Sequence, residues 1–344
     1  MAHPDSLLLD LAAARVPPAG QRTRGLLESA IEHRMAGLLW SAVQRGEIEL
    51  PPDDRARLAR IDMANRLRER QLEVALSEAV RRVAGLGMEL VTFKGVSAAW
   101  RWYERPGERP TSDLDILVGP QDRLRYAEIV RALDPDSDLL RDLDESELLE
   151  LAARDQALNV ELDVDLGAQT WSGEPVTVDL HVDLLKYGIP GRQADEIWAR
   201  THTVDVPGGG TVRVLDAEIA LVHLLLHMNR DRFAYLLAYA DVARLLQREP
   251  IDWAYVHEFV AREGLEVPVY ASLDAVAETL GIQVPAHPPI GGWRAALWKR
   301  LWTPGVRLQG EAGRKGIRRR RRCISVMARG RAIEGVSAWV RGTS

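Results

Sequence analysis

The spacing of apolar residues changes twice along this 344-residue chain. Up to about Gly87, and again from Asp216 to about Gly281, apolar residues recur every three or four positions, which is typical of amphipathic helices. Between these stretches, segments such as MELVTFKG and PVTVDLHVDLL alternate apolar and polar residues with the period of a β-strand. The pattern predicts an α+β fold in which a small sheet is flanked by an N-terminal helical region and a C-terminal helical domain.

These changes of pattern divide the chain into four predicted segments. They are an N-terminal helical region at 1–86, an α/β core at 87–215, a C-terminal helical domain at 216–290, and a basic, tryptophan-dotted tail at 291–344. Within the core, NVELDVDLG and PVTVDLHVDLL predict an antiparallel pair, and TVDVPGGGTVRVL predicts a hairpin. The sequence between Pro52 and Gly85 predicts one long helix, unbroken or broken once.

Composition restricts the class of protein. With 46% hydrophobic and 28% charged residues the chain resembles an ordinary soluble globular protein. Its one cysteine, Cys323, excludes an internal disulfide and is typical of a reducing compartment. The N-terminus lacks the pattern of a signal peptide, and no apolar run approaches the roughly 20 residues of a membrane helix. We therefore expect a cytoplasmic protein without a membrane partner.

Two carboxylates stand at the start of a buried strand in the sequence ERPTSDLDILVGP. Asp113 and Asp115 are two positions apart, so a strand projects both from one face. Their charges repel unless a cation lies between them, and carboxylate oxygens favour Mg²⁺, or Mn²⁺ as the alternative. Asp is also common where strands and turns meet, so a solvated strand start is the competing interpretation of this pair alone.

Two further motifs favour the metal interpretation. TFKGVS places Lys94, the Gly95 turn and Ser97 at a helix start, where backbone N–H groups and a cation can receive an anion. TVDLHVDLL offers Asp179 and His181 on one strand face. A third carboxylate beside an acidic pair is what a two-metal phosphoryl or nucleotidyl transfer site requires.

Together these motifs carry a family resemblance across roughly residues 60 to 280. The order FKG, RPTSDLDILV, VDLHVDLL, a His-rich helix HLLLHMNRDR and YADVARLL resembles the poorly characterised bacterial nucleotidyltransferase-fold proteins. These proteins belong to the polymerase-β-like nucleotidyltransferase superfamily. The resemblance implies a small mixed sheet and transfer of a nucleoside monophosphate from an NTP with two Mg²⁺ ions.

The resemblance also implies roles for individual acids. Asp113 and Asp115 match the metal-binding pair, and Asp179 matches the third carboxylate, which acts as a metal ligand and as a candidate general base. All three are therefore candidate catalytic residues. Asp163 and Asp165 in NVELDVDLG are alternative third carboxylates, ranked lower because an acidic strand face is typical of solvent exposure.

The expected nucleotide contacts are Lys94, Gly95, Ser97 and Arg109. Gly95 matches the turn glycine that lets the backbone approach the triphosphate. The wider superfamily has adjacent Gly and Ser, whereas Val96 separates Gly95 from Ser97 here. Lys94 and Arg109 are candidate triphosphate contacts because of their charge and position, although Arg109 equally suits a brace for its loop.

Histidines and the basic tail leave more than one interpretation. His181 is a candidate to bind substrate or to orient Asp179, and a structural, hydrogen-bonded histidine is the competing interpretation. His227 is a candidate substrate contact, and a buried histidine is the competing interpretation. His223 and His227 have metal-binding spacing, but no third ligand accompanies them. Arg318–Arg322 in the tail offer a polyanion contact, which is the only support for a nucleic-acid partner.

The sequence therefore predicts a Mg²⁺-dependent, ATP- or other NTP-binding nucleotidyltransferase whose acceptor is a small molecule, peptide or protein, with release of pyrophosphate. Two alternatives stay open. One is a non-catalytic nucleotide-binding or antitoxin-like protein that keeps the fold without turnover. The other is an RNA-modifying transferase, and the arginine-rich tail is the only sequence feature that supports it.

Overall fold

The structure is a computed structural model that describes most of the chain up to residue 290. The described residues are 6–17, 25–155, 157–162, 175–185, 193–207, 209–231 and 233–290, with 296, 298, 300 and 308. They divide into two compact units, a sheet unit at Asp62–Ala220 and a helical unit at Met1–Ile61 with Leu221–Ser344. The helices are α1 (Ser6–Ala12), α2 (Leu26–Glu32), α3 (Ala36–Gln44), α4 (Pro52–Ala84), α5 (Gly95–Trp102), α6 (Tyr126–Leu133), α7 (Asp138–Asp142), α8 (Glu145–Asp155), α9 (Ala194–Ala199), α10 (Ala217–Arg230), α11 (Leu236–Arg248), α12 (Trp253–Glu263) and α13 (Glu266–Leu280), and a 3₁₀ helix covers Pro120–Arg125.

Six strands form one mixed sheet in the sheet unit. They are β1 (Leu90–Thr92), β2 (Leu114–Val118), β3 (Ala157–Leu162), β4 (Val176–His181), β5 (Thr201–Asp205) and β6 (Thr211–Leu215), in the order β3-β4-β2-β1-β6-β5. The pairs β2–β4 and β1–β6 are parallel, and the other three pairs are antiparallel. The predicted α+β class with a small mixed sheet is confirmed, as are the antiparallel β3–β4 pair and the β5–β6 hairpin.

The two central strands are buried from end to end. All three residues of β1 and all five of β2 are buried, so neither strand keeps a solvated face. Helix α4 contributes apolar residues at three- and four-residue spacing to the core on this sheet, namely Leu72, Ala75, Leu76, Ala79 and Val83. Tyr126 at the start of α6 donates a buried hydrogen bond of 2.8 Å to the Leu180 carbonyl, which fixes α6 on β4.

The long helix predicted after Pro51-Pro52 is continuous. Helix α4 runs for 33 residues without a break and has Asp53 and Asp54 in its first turn and Arg81 and Arg82 in its last. This charge order complements the helix dipole at both ends. Within the part of the chain that the structure describes, no helix combines the length and apolar character needed to cross a membrane.

Hydrogen bonds and an aromatic contact connect elements within the helical unit. Arg244 on α11 donates to the Ala12 and Leu11 carbonyls at 3.1 and 3.0 Å, and so satisfies the C-terminal end of α1. Two described residues of the predicted tail contact the loop before α11. Trp298 packs edge-on against Phe233, with ring centroids 5.6 Å apart, and the Leu308 N–H donates to the Phe233 carbonyl at 2.8 Å.

Candidate functional site

The turn between β1 and α5 brings Lys94 and Gly95 to the end of the central strand. Phe93 is buried, and Gly95 begins α5 directly after Lys94. A Cβ added to Gly95 would lie 2.7 Å from Thr111 Cγ2, so any other residue here would force Thr111 to shift. Lys94 itself has φ +62° and ψ −128°, a backbone conformation that residues with a side chain rarely adopt. Ser97 is buried in the first turn of α5.

Strand register brings the acids of β2 and β4 together. In the parallel β2–β4 pair Asp115 stands opposite Asp179, and His181 follows Asp179 by two positions on the same face. Asp115, Asp179 and His181 each offer one ligand atom, and these atoms all lie within 4.8 Å of one another. Asp115 and His181 are buried and Asp179 is half-buried. Among the described residues, these three form the group whose ligand atoms are close enough to share a metal ion.

Asp115 is a buried anion held by two basic groups. Lys94 Nζ lies 2.6 Å from Asp115 Oδ1, and His181 Nε2 lies 3.4 Å from the same oxygen. Burial alone would raise the pKa of Asp115, but the Lys94 ammonium and the His181 imidazole outweigh it and hold that pKa well below its usual range. Asp115 is therefore a carboxylate at any physiological pH.

The chemistry of this group fits a divalent cation. Asp115 Oδ2 is buried, and within the described ranges no hydrogen bond reaches it. A buried carboxylate oxygen without a donor is unfavourable, and a metal ion would satisfy it. Two carboxylates suit Mg²⁺ or Mn²⁺, and the imidazole adds a donor that Mn²⁺ accepts more readily. The sequence predicted His181 as a substrate contact, and that role stays a prediction. Its position beside Asp115 and Asp179 adds it to the residues that could hold a metal ion, and its two-residue spacing from Asp179 already placed the two on one strand face.

Asp113 and Arg109 occupy different surroundings from this group. Asp113 precedes the first residue of β2, is half-buried and accepts a hydrogen bond of 3.2 Å from Ser112 Oγ. It does not belong to the described metal-competent group. Arg109 is buried and donates to Thr111 Oγ1 at 2.9 Å, so it contacts the residue that packs against Gly95. The roles of Asp113 and Arg109 stay predictions.

Carboxylates of α4 anchor the loop that leads into β2. Glu69 accepts a hydrogen bond of 2.6 Å from the Gly107 N–H, and its pKa is raised, mainly by burial. Asp62 forms ion pairs with Arg66 at 3.0 Å and Arg105 at 2.8 Å. Sequence reasoning missed this anchor, because acids spaced along a long amphipathic helix are also typical of a solvated face.

The remaining predicted residues lie elsewhere. His227 belongs to the helical unit, where its Nδ1 is 3.5 Å from Asp231 Oδ2 and its Nε2 is 2.8 Å from an Arg230 nitrogen. The alternative acids Asp163 and Asp165, like Arg318–Arg322, lie outside the described residues.

Comparison with known proteins identifies the family of this chain. A search of curated proteins gave no significant match. A solved structure of an antigenic nucleotidyltransferase-like protein from Paracoccidioides brasiliensis is similar at 13% identity and a TM-score of 0.39, covering 62% of this chain and 94% of that one. Residues 20–281 match the profile of a family described as an uncharacterised nucleotidyltransferase. The chain therefore belongs to this uncharacterised nucleotidyltransferase family.

Proposed function

We propose that the protein is a Mg²⁺- or Mn²⁺-dependent enzyme that transfers a nucleoside monophosphate from an NTP to an acceptor. The main support is that ligand atoms of Asp115, Asp179 and His181 lie within 4.8 Å of one another. Lys94, which contacts Asp115, directly precedes the start of α5. Membership of a nucleotidyltransferase family supports the reaction class. The acceptor presents a hydroxyl, phosphate or amine, and belongs to a small molecule, peptide or protein.

Asp115, Asp179 and His181 would hold the cation, with Asp113 as the further carboxylate that the sequence predicts. When bound, a divalent cation neutralises the charge of the triphosphate and stabilises the charge that develops in the transition state. Asp115 is fixed for this role, because it lies in a fully buried strand and faces Asp179 across a regular parallel pair. Rigid strands hold such ligands more exactly in place than loops do.

Residues of the chain itself would accept the proton of the acceptor and contact the phosphates of the nucleotide. Asp179 accepts the proton of the attacking acceptor atom, which forms a bond to the α-phosphorus while the bond from that phosphorus to the bridging oxygen of pyrophosphate breaks. Gly95 opens α5, whose first-turn N–H groups have no carbonyl partner within the helix and can donate to phosphate oxygens. Lys94, Ser97 and Arg109 are the proposed further contacts on the nucleotide side.

Nucleotide binding tests this proposal directly. Calorimetric titration of ATP, GTP, CTP and UTP with Mg²⁺ or Mn²⁺ is expected to show binding of at least one nucleotide by the wild type. Asp115→Asn keeps the shape but removes the charge, and is expected to lose the metal-dependent part of that binding. Asp205→Asn is the matched control, because Asp205 is an exposed acid on the edge strand β5 of the same unit. If no nucleotide binds, or if Asp115→Asn binds as well as the control, the transferase assignment is wrong.

A further inference from the structure

Lys94 occupies the position of a counter-ion to the candidate metal ligands. Its Nζ lies 2.6 Å from Asp115 Oδ1, at the short end of ammonium–carboxylate distances. The Asp115 side chain is fully buried, whereas the Lys94 side chain keeps 17% of its surface exposed. The ammonium therefore reaches a buried anion from a partly open position, which gives it a path away from Asp115.

The backbone of Lys94 is held in an unusual conformation. Its φ of +62° lies where residues other than glycine are uncommon. Such conformations persist when the surrounding structure fixes them, and they concentrate at functional sites. Here the flanking residues fix it, because Phe93 is buried on one side and Gly95 packs tightly against Thr111 on the other. The packing of Phe93 and Gly95 does not depend on the Lys94 side chain. The presence of a lysine at this position is therefore explained by its contact with Asp115.

A bound divalent cation and the Lys94 ammonium compete for the same carboxylate. A metal–oxygen bond of about 2.1 Å to either oxygen of Asp115 would leave the ammonium within about 7 Å of the metal. Two cations this close to a buried carboxylate repel each other strongly, because little solvent screens them. An NTP supplies the anionic oxygens to which the displaced ammonium can turn.

We infer that Lys94 is a tethered cation that neutralises Asp115 in the metal-free protein and leaves it for the triphosphate when a divalent cation binds. This inference rests on the proposed function, since it concerns regulation of the same site. Without nucleotide, the metal has to displace Lys94 and binds weakly. With nucleotide, the displaced ammonium gains a phosphate partner, so metal and NTP strengthen each other's binding.

Metal binding to variants without nucleotide tests the competition. Free Mn²⁺ is measured by electron paramagnetic resonance during titration of the wild type, Lys94→Met and Asp115→Asn. Lys94→Met keeps an unbranched side chain, one heavy atom shorter than lysine, and removes the charge. It is expected to bind Mn²⁺ about tenfold more tightly, because no charge-assisted contact has to be broken. Arg81→Met is the control, because it removes a cation of the same unit that pairs with Glu78 on the exposed side of α4. It is expected to bind Mn²⁺ like the wild type.

A second measurement uses the wild type alone, so its result does not depend on whether a variant folds correctly. The chain has four lysines, Lys94, Lys186, Lys299 and Lys315, so each can be followed by mass spectrometry after brief acetylation. Saturating Mn²⁺ is expected to raise the acetylation rate of Lys94 several-fold, because the ammonium leaves its buried partner. The other three lysines serve as internal references.

The outcomes separate this inference from the proposed function. Tighter Mn²⁺ binding by Lys94→Met with faster acetylation of Lys94 supports it. If the wild type binds Mn²⁺ and Asp115→Asn does not, but Lys94→Met binds no more tightly or Lys94 is acetylated no faster, the inference is overturned while the metal site stands. If neither the wild type nor Lys94→Met binds Mn²⁺, both the inference and the metal-dependent function are refuted.

Discussion

Replacement of Gly95 by alanine tests the close packing at the start of α5. An added Cβ would lie 2.7 Å from Thr111 Cγ2, well inside normal contact, and the short β-branched side chain of Thr111 has little freedom to move away. Overpacking of this kind costs about 1–3 kcal/mol. Gly95 does not have a positive φ, so alanine regains about 0.4–1 kcal/mol from the lower entropy of the unfolded chain. We expect Gly95→Ala to lower the free energy of unfolding by about 1–2 kcal/mol.

A second substitution identifies the cause of that loss. Thr111→Ser removes Cγ2 but keeps the hydroxyl that accepts from Arg109, and alone it is expected to cost about 0.8 kcal/mol for the lost methyl group. In the double variant the clash is gone, so a favourable coupling energy of about 1 kcal/mol is expected. Urea unfolding followed by circular dichroism gives the stabilities, and hydrogen exchange over residues 90–118 assigns the change to the sheet unit. A double variant as unstable as the sum of the two single variants would refute the packing argument.

Two further predictions concern an ion pair on α4 and the N-terminal cap of α12. Hydrogen bonding from Arg81 lowers the pKa of Glu78 from 4.5 to about 2, so this carboxylate stabilises the fold above pH 4.5 and loses its contribution as the pH falls towards 2. Glu78→Gln is therefore expected to cost about 0.5–1 kcal/mol at pH 7, and urea unfolding should show the difference from wild type shrinking between pH 4.5 and pH 2; a constant difference would contradict it. Asp252 caps α12 by accepting from two backbone N–H groups at 3.0 and 3.1 Å, so Asp252→Ala is expected to cost about 1 kcal/mol and Asp252→Asn much less. Equal losses in the two variants, measured by thermal unfolding, would exclude the cap as the cause.

Much of the fold follows from local patterns in the sequence. The alternation in PVTVDLHVDLL predicted β4, and the three- and four-residue spacing after Pro51-Pro52 predicted α4, because one buried face imposes its period on the residues that line it. Asp216 and Asp252 mark helix starts, since each side chain accepts from N–H groups of the helix that follows, and Asp is a preferred residue at that position. The parallel pairing of β2 with β4 has no local signature, because long crossover connections leave the register to tertiary packing.

The sequence alone predicts only part of the residue group that the structure brings together. The sequence and its family resemblance predicted Asp113, Asp115 and Asp179 as metal ligands, whereas the described metal-competent group combines Asp115 and Asp179 with His181. A strand pattern shows which side chains share a face, but it does not show which strand will be the neighbour. Asp113 stays a predicted ligand.

The sequence by itself determined the elements, the carboxylates and the glycine turn, because hydrophobic period and turn chemistry act over a few residues. Only the tertiary structure decided how these parts meet. It set Asp115 opposite Asp179, brought Lys94 to within 2.6 Å of Asp115 and anchored the loop before β2 to Glu69. These contacts join residues far apart in the chain, and their geometry depends on strand order and buried packing, which no local pattern encodes.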